Sequence, residues 1–99
     1  MMYDETPDVT LKMLIDSGII KPGTKVYARV NHQIYGIVNV DGSISLEIDS
    51  EHKVFPFPSG AARAITKTSV SGWLFWKILE SGEYKDLTFF KNLYLEKNR

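Results

Sequence analysis

The residue types that could do chemistry in this 99-residue chain are two histidines, twelve carboxylates, a scatter of serines and no cysteine. Without cysteine there is no disulfide framework, no thiolate zinc centre and no thiol nucleophile. His32 and His52 each stand in an expected loop, with no second ligand at helical spacing, whereas a zinc site needs three or four ligands. The glycines are spread among turns, and neither a G-x-G-x-x-G nor a Walker pattern occurs. No serine stands in a nucleophile elbow. Asp4, Glu5 and Asp8 cluster near the N-terminus, where nothing would desolvate them, and paired carboxylates need a shaped site to split their pKa values. The chain therefore reads as a non-enzyme that requires no cofactor and no metal.

What remains is binding through charge, hydroxyls and aromatic rings. Lys+Arg and Asp+Glu are both 12, so the net charge is zero, which argues against indiscriminate attraction to nucleic acid. The distribution is uneven. Residues 1–52 hold eight acids and four bases, residues 53–79 hold Lys53, Arg63, Lys67 and Lys77 with no acid, and residues 80–99 hold four of each. The acid-free stretch has two readings: a buried segment, uncharged because it is core, or a surface that meets anions.

The elements that must position these residues follow from apolar period and turn chemistry. At 43% hydrophobic and 24% charged, the composition is that of a globular domain. No apolar run approaches the ~20 residues that cross a bilayer, and the polar start, Met-Met-Tyr-Asp-Glu-Thr-Pro-Asp, is not a signal peptide. We expect a soluble cytoplasmic protein with no membrane contact, a frayed segment 1–8 and a single domain over 9–99. Thr10 is placed to cap a two-turn helix, 10–17, with Leu11, Leu14 and Ile15 on one face and Gly18 ending it. Pro22-Gly23 makes a turn. Strands are expected over 24–30, with Val26, Ala28 and Val30 inward, over 33–40 after a connection at Asn31-His32, and over 43–48 after the Asp41-Gly42 hairpin. Residues 49–53 read as a polar loop, and Pro56 and Pro58 bar a central strand beyond it. Ser59 is expected to cap a helix reaching about residue 66. Residues 73–79 read as a fourth strand broken by Ser81-Gly82, and Asp86 as the cap of a last helix near 87–96, striped by Leu87, Phe90, Leu93 and Tyr94. The fold class is α+β: a small antiparallel β-meander of three to four strands with short flanking helices.

Two blocks carry more specific wording. Thr10-Leu11-Lys12-Met13-Leu14-Ile15-Asp16-Ser17-Gly18-Ile19-Ile20-Lys21-Pro22-Gly23 is the first. Pro58-Ser59-Gly60-Ala61-Ala62-Arg63-Ala64-Ile65-Thr66, followed by Ser69-Val70-Ser71-Gly72-Trp73-Leu74-Phe75-Trp76, is the second. In combination, over roughly 9–79, they resemble the RAMA domain, the restriction-enzyme and adenine-methyltransferase-associated domain. The resemblance implies a compact α+β module without an active site. It also implies binding of double-stranded DNA, in some members with preference for modified bases such as N6-methyladenine, and a methyltransferase or restriction protein as partner. Three positions depart from the pattern. Lys67 stands where the family has Gly, Ser71 stands where it has Asn before Gly-Trp, and Phe55-Pro56-Phe57 replaces a polar lead-in. An Asn reads an adenine edge bidentately, whereas Ser71 offers one hydroxyl.

The block around Gly-Trp-x-Phe-Trp coincides with the acid-free stretch. Phosphate needs cations, hydroxyls or backbone N–H donors. Arg63, Lys67, Thr68, Ser69 and Lys77 are therefore the candidate phosphate contacts, with Ser71 and Trp73 nearest a base or sugar. The alternatives stay open: turn chemistry for the hydroxyls, a solvated helix face for Arg63 and Lys67, and core for the aromatics, favoured for Phe75 and Trp76. A protein-interaction module without DNA contact is the competing reading.

Overall fold

In the computed structural model, which describes residues 9–97, the chain enters its first helix, α1 (Leu11–Asp16), through Thr10. The Met13 N–H donates to Thr10 Oγ1 at 3.3 Å, and the Thr10 N–H donates back to Met13 Sδ at 3.4 Å. This is a capping box with a thioether in place of the usual carboxylate. Leu11, Leu14 and Ile15 are buried, as their spacing predicts. Segment 1–8, expected to be frayed, lies outside the described residues.

The strands are β1 (Lys25–Ala28), β2 (Asn31–Val38), β3 (Ile44–Ile48), β4 (Glu51–Phe55), β5 (Trp76–Glu80) and β6 (Glu83–Asp86). They form one antiparallel sheet in the order β4-β3-β2-β1-β5-β6. The meander β1-β2-β3 is the expected one, but the sheet has six strands rather than three to four. Both extra strands come from tight hairpins. Asp49 and Ser50 have φ of 53° and 67°, and Ser81 and Gly82 have φ of 53° and 82°. Two consecutive left-handed residues make a turn whose twist matches the flanking strands. Three of these four residues are not glycine, so the left-handed conformation carried little sequence signal. The polar stretch expected as a loop over 49–53 is thus a turn and the start of an edge strand, which stops before Pro56.

Two further corrections concern the meander and its neighbour. The β1–β2 connection falls at Arg29-Val30, not Asn31-His32, which leaves Val30 exposed rather than inward. Residues 73–75, expected in the fourth strand, instead belong with Gly72 to one helical turn, α3 (Gly72–Phe75). Its turn is closed by N–H groups of Leu74 and Phe75 donating to the Ser71 carbonyl at 3.2 and 3.0 Å. β5 begins only at Trp76.

The remaining helices are α2 (Pro58–Thr66) and α4 (Leu87–Lys97). α2 starts two residues earlier than a Ser59 cap would place it. Its N-cap is Phe57, with no side-chain cap bond, and Pro58 fills the first turn, where a missing N–H costs nothing. Ser59 is not the cap. Asp86 does serve the start of α4, accepting from the Phe89 N–H at 3.2 Å. Leu87 and Phe90 are buried and Tyr94 partly so, whereas Leu93, expected on the same stripe, is exposed.

All four helices contribute to one core against one face of the sheet. Leu14, Ala61, Ala62, Phe75 and Leu87 meet Val26, Ala28, Val38, Ile44 and Trp76, each of these 0% exposed. Because strand residues alternate in face, Lys25, Tyr27, Tyr35 and Lys77 lie on the opposite face. That face carries a ring cluster in which Tyr84 stacks on His32 at 3.8 Å and meets Tyr27 edge-on at 5.4 Å.

The Asp41-Gly42 turn links sheet and helix. Gly42 has φ of 88°, and a Cβ there would lie 2.7 Å from the Lys12 backbone nitrogen. The hairpin tip thus seats directly on α1. Ser43 Oγ donates to Asp41 Oδ1 at 2.6 Å, and the Ser43 N–H donates to the same oxygen at 2.9 Å. These bonds, the hydroxyl's first, hold the Asp41 carboxyl below its ordinary value.

Two outcomes follow. Trp76 is fully buried with a ring edge on Phe75, so Trp76→Ala should cost about 3–5 kcal/mol, measured by denaturant unfolding. A folded-state carboxyl with a depressed pKa stabilises at higher pH and loses that contribution as acid protonates it. Ser43→Ala should therefore raise the Asp41 midpoint in an NMR titration and weaken the fall in stability on acidification.

Candidate functional site

The second sequence block folds into a clasp between two helix starts. The Gly72 N–H donates to Ser59 Oγ at 2.9 Å. The Trp76 indole Nε1–H donates to the Pro58 carbonyl at 3.0 Å. Gly72 is pressed so closely on α2 that a Cβ would fall 2.2 Å from the Pro58 carbonyl carbon. The wording Pro-Ser before the helix and Gly-Trp-x-Phe-Trp after it is therefore mutual. Ser59 is absorbed here rather than in capping.

Beside the clasp runs a groove of about 960 Å³. The α1 start and the Asp41-Gly42 tip form one end. Pro56 to Gly60 and Arg63 supply one wall, residues 69–71 with Trp73 and Leu74 continue it, and α4 supplies the other. A shallower depression of about 220 Å³ between residues 18–21 and Phe90 is the smaller of the two.

Of the seven residues expected to meet DNA, the structure brings four into this groove: Arg63, Ser69, Ser71 and Trp73. Among the described residues, the hydroxyls of Ser69 and Ser71 make no hydrogen bond, so both are available to a ligand. Among the described residues Asp41 is the one carboxylate on the groove wall, and its Oδ1 is already engaged by Ser43. Lys12, also on the wall, is paired with Asp16 at 2.7 Å.

Thr68 and Lys67 lie beyond the groove wall. The Thr68 N–H donates to Thr66 Oγ1 at 3.2 Å, and the Thr66 hydroxyl donates to the Thr68 carbonyl at 3.0 Å, which is turn chemistry. Lys67 is the C-cap of α2 with φ of 66°. That left-handed geometry gives a physical reason for the glycine that the family pattern has at this position, and it takes Lys67 off the helical face it was expected to share with Arg63. Lys77 lies on the opposite face of the sheet, 3.9 Å from Asp86. One positive face combining Arg63, Lys67 and Lys77 is therefore not formed, because strand alternation and a helix terminus separate them.

The sequence reading missed a cation that the groove does contain. Lys91 on α4 lines it, is only 8% exposed, and holds its Nζ 5.1 Å from the centre of the Trp73 ring. Thr88, one turn earlier, donates to the Trp73 carbonyl at 3.3 Å and fixes the two elements together. The only available signal was position: Lys91 interrupts the apolar stripe of α4 immediately after Phe90.

No group of three or more His, Asp and Glu among the described residues is placed to hold a metal ion, and no helix among them is long and apolar enough to cross a membrane. The fold is thus an α+β module with a mixed aromatic and cationic groove. The sequence pattern of the RAMA family, Restriction Enzyme Adenine Methylase Associated, matches residues 3–99, and the chain belongs to that family. The match extends beyond the 9–79 stretch of the two blocks to nearly the whole chain. The family's name ties it to restriction enzymes and adenine methylases. No curated protein matches the sequence.

Three substitutions test the local reasoning. Gly72→Ala should destabilise more than Ser59→Ala: the former drives a methyl into the α2 backbone, the latter only leaves a part-buried N–H without its acceptor, at about 1–3 kcal/mol. Lys67→Gly should stabilise by about 1 kcal/mol, since it relieves a left-handed non-glycine residue, and raise the melting temperature by roughly 4–8 °C.

Proposed function

We propose that this chain is a non-catalytic module that binds double-stranded DNA on behalf of a DNA modification or restriction system, with N6-methyladenine as the mark it senses. One observation carries the reading. Four residues from the acid-free stretch converge on a single groove whose lone carboxylate among the described residues is already hydrogen-bonded. Arg63 offers a planar donor fork suited to phosphate. Ser69 and Ser71 offer free hydroxyls, and Trp73 offers an aromatic surface. A groove with these groups suits a sugar-phosphate strand, with Ser71 and Trp73 nearest a base. Membership of a family associated with adenine methylases supports the modified-base element, and a methyltransferase or restriction protein is the corresponding protein partner.

A second reading rests on the apolar rim. Phe57 is 65% exposed and Leu74 48% exposed, both at the groove, as an interface between proteins would have them. The two readings separate by salt dependence. DNA binding through cations weakens steeply with salt as counterions are released, whereas an apolar protein interface responds little.

The experiment is a salt series on matched duplexes with and without N6-methyladenine. Arg63→Ala should lower the slope of log affinity against log salt by about 1, and adding Lys67→Ala should lower it little further, since Lys67 lies beyond the groove wall. Lys77→Ala should leave the slope unchanged, since that ammonium faces away. Replacing Ser71 or Trp73 should alter discrimination between duplexes. Absence of salt-sensitive binding by the wild-type chain to any duplex would overturn the DNA reading in favour of the protein-interaction one.

A further inference from the structure

Lys91 is the side chain whose placement the fold alone does not explain. Four lysines, Lys12, Lys53, Lys77 and Lys85, have carboxylate partners within 4 Å. The most exposed of them, Lys12 at 57%, pairs where pairing contributes least. Lys91 is more than nine-tenths buried and has no hydrogen bond or ion pair among the described residues. Among the described residues its charge meets the face of Trp73. The aliphatic stem is buried while the ammonium reaches solvent, and a cation held over a ring face is favourable. The same position lines the groove that Ser69, Ser71 and Arg63 also line. A buried stem that delivers its ammonium to a groove wall, over an aromatic face, presents a cation to whatever enters the groove.

We infer that Lys91 and Trp73 form an anion subsite that seats a phosphate group, with Lys91 as the charge and Trp73 as both its support and the wall for an adjoining sugar or base. The assignment rests on the DNA reading for its natural ligand, a backbone phosphodiester. A carboxylate would satisfy the charge, but it would leave both serine hydroxyls and the indole without a role. A phosphodiester engages all three, having several acceptor oxygens and a ring on either side.

The test uses the full chain and three variants. Lys91→Met keeps the unbranched apolar stem and removes the charge, Lys91→Gln repeats the removal with a polar tip should the first not fold, and Lys91→Arg keeps the charge. Inorganic pyrophosphate is titrated while the Trp73 indole N–H is followed by NMR, with Trp73→Phe assigning the signal. A short duplex is titrated in parallel across salt. The expected result is an indole shift in the wild type that Lys91→Met and Lys91→Gln abolish and Lys91→Arg retains. Duplex affinity should fall on the order of tenfold in the neutral variants, the effect of one charge-assisted contact, with the salt slope reduced by about 1. Melting temperatures of the neutral variants should stay close to the wild type, since the ammonium reaches solvent and only its contact with the Trp73 ring is lost. Duplex binding that keeps its slope in folded neutral variants overturns the subsite and leaves the DNA reading standing. If no duplex binds, the DNA reading fails and pyrophosphate alone decides: a Lys91-dependent indole shift upholds the phosphate subsite, and no shift overturns it.

Discussion

The close approach of Gly72 to the start of α2 is the constraint from which the rest of the arrangement follows. No side chain fits between the Gly72 Cα and the Pro58 carbonyl, so the two backbones touch. The contact is held by the Gly72 N–H on Ser59 and the Trp76 indole on Pro58. From it follow the helical turn α3, which places Phe75 and Trp76 together in the core, and the entry of β5 beside β1. Buried polar groups at a helix start must find partners, and here they find them in a segment thirteen to eighteen residues onward. A local sequence motif is thus spent on a tertiary joint, and the serine that looks like a cap belongs to that joint.

The groove is a by-product of the same joint. Because α3 is a single turn, Trp73 leaves the core and lies against α4, where Thr88 and Lys91 meet it. Structural need and binding potential therefore sit side by side in one motif. Phe75 and Trp76 stabilise the domain, and Trp73 with Ser71 faces a possible ligand's path along the groove wall. The electrostatics are local. Net charge is zero, yet among the described residues the groove has one carboxylate, already hydrogen-bonded, against Arg63 and a Lys91 without an ion pair. Total charge would have been a poor guide, because charges beyond about a Debye length, ~8 Å at physiological salt, are screened.

The residues outside the groove matter for the opposite reason. Lys77 belongs to the acid-free stretch, but β5 turns it to the uncovered sheet face, beside Asp86 and the Tyr27, His32 and Tyr84 rings. Lys67 belongs to the α2 block, but the left-handed cap carries it past the helix. Charge counted along a chain says how many cations a segment holds. Which side of the sheet they reach depends on strand phase and helix length, both set by packing.

By itself the sequence determined the elements whose signals are local. Thr10 and Gly18 bound α1, alternation and Asp41-Gly42 specify the β1-β2-β3 meander, and two blocks of wording identify the family. Each depends on side-chain chemistry within a few residues, so it is legible without knowing the fold. Tertiary structure decided the rest. The β3-β4 and β5-β6 hairpins turn through residues of which only Gly82 favours the left-handed region, so strand pairing must hold them there. The Gly72–Phe75 stretch has the aromatic, β-favouring look of a strand, yet backbone contact with α2 makes it helical. Lys91 reads along the chain as one cation in a balanced tail, and only the packing of α4 against Trp73 buries its stem and sets its ammonium at a groove. Local signals set which elements form. Long-range contacts, which no short window contains, set which faces they present.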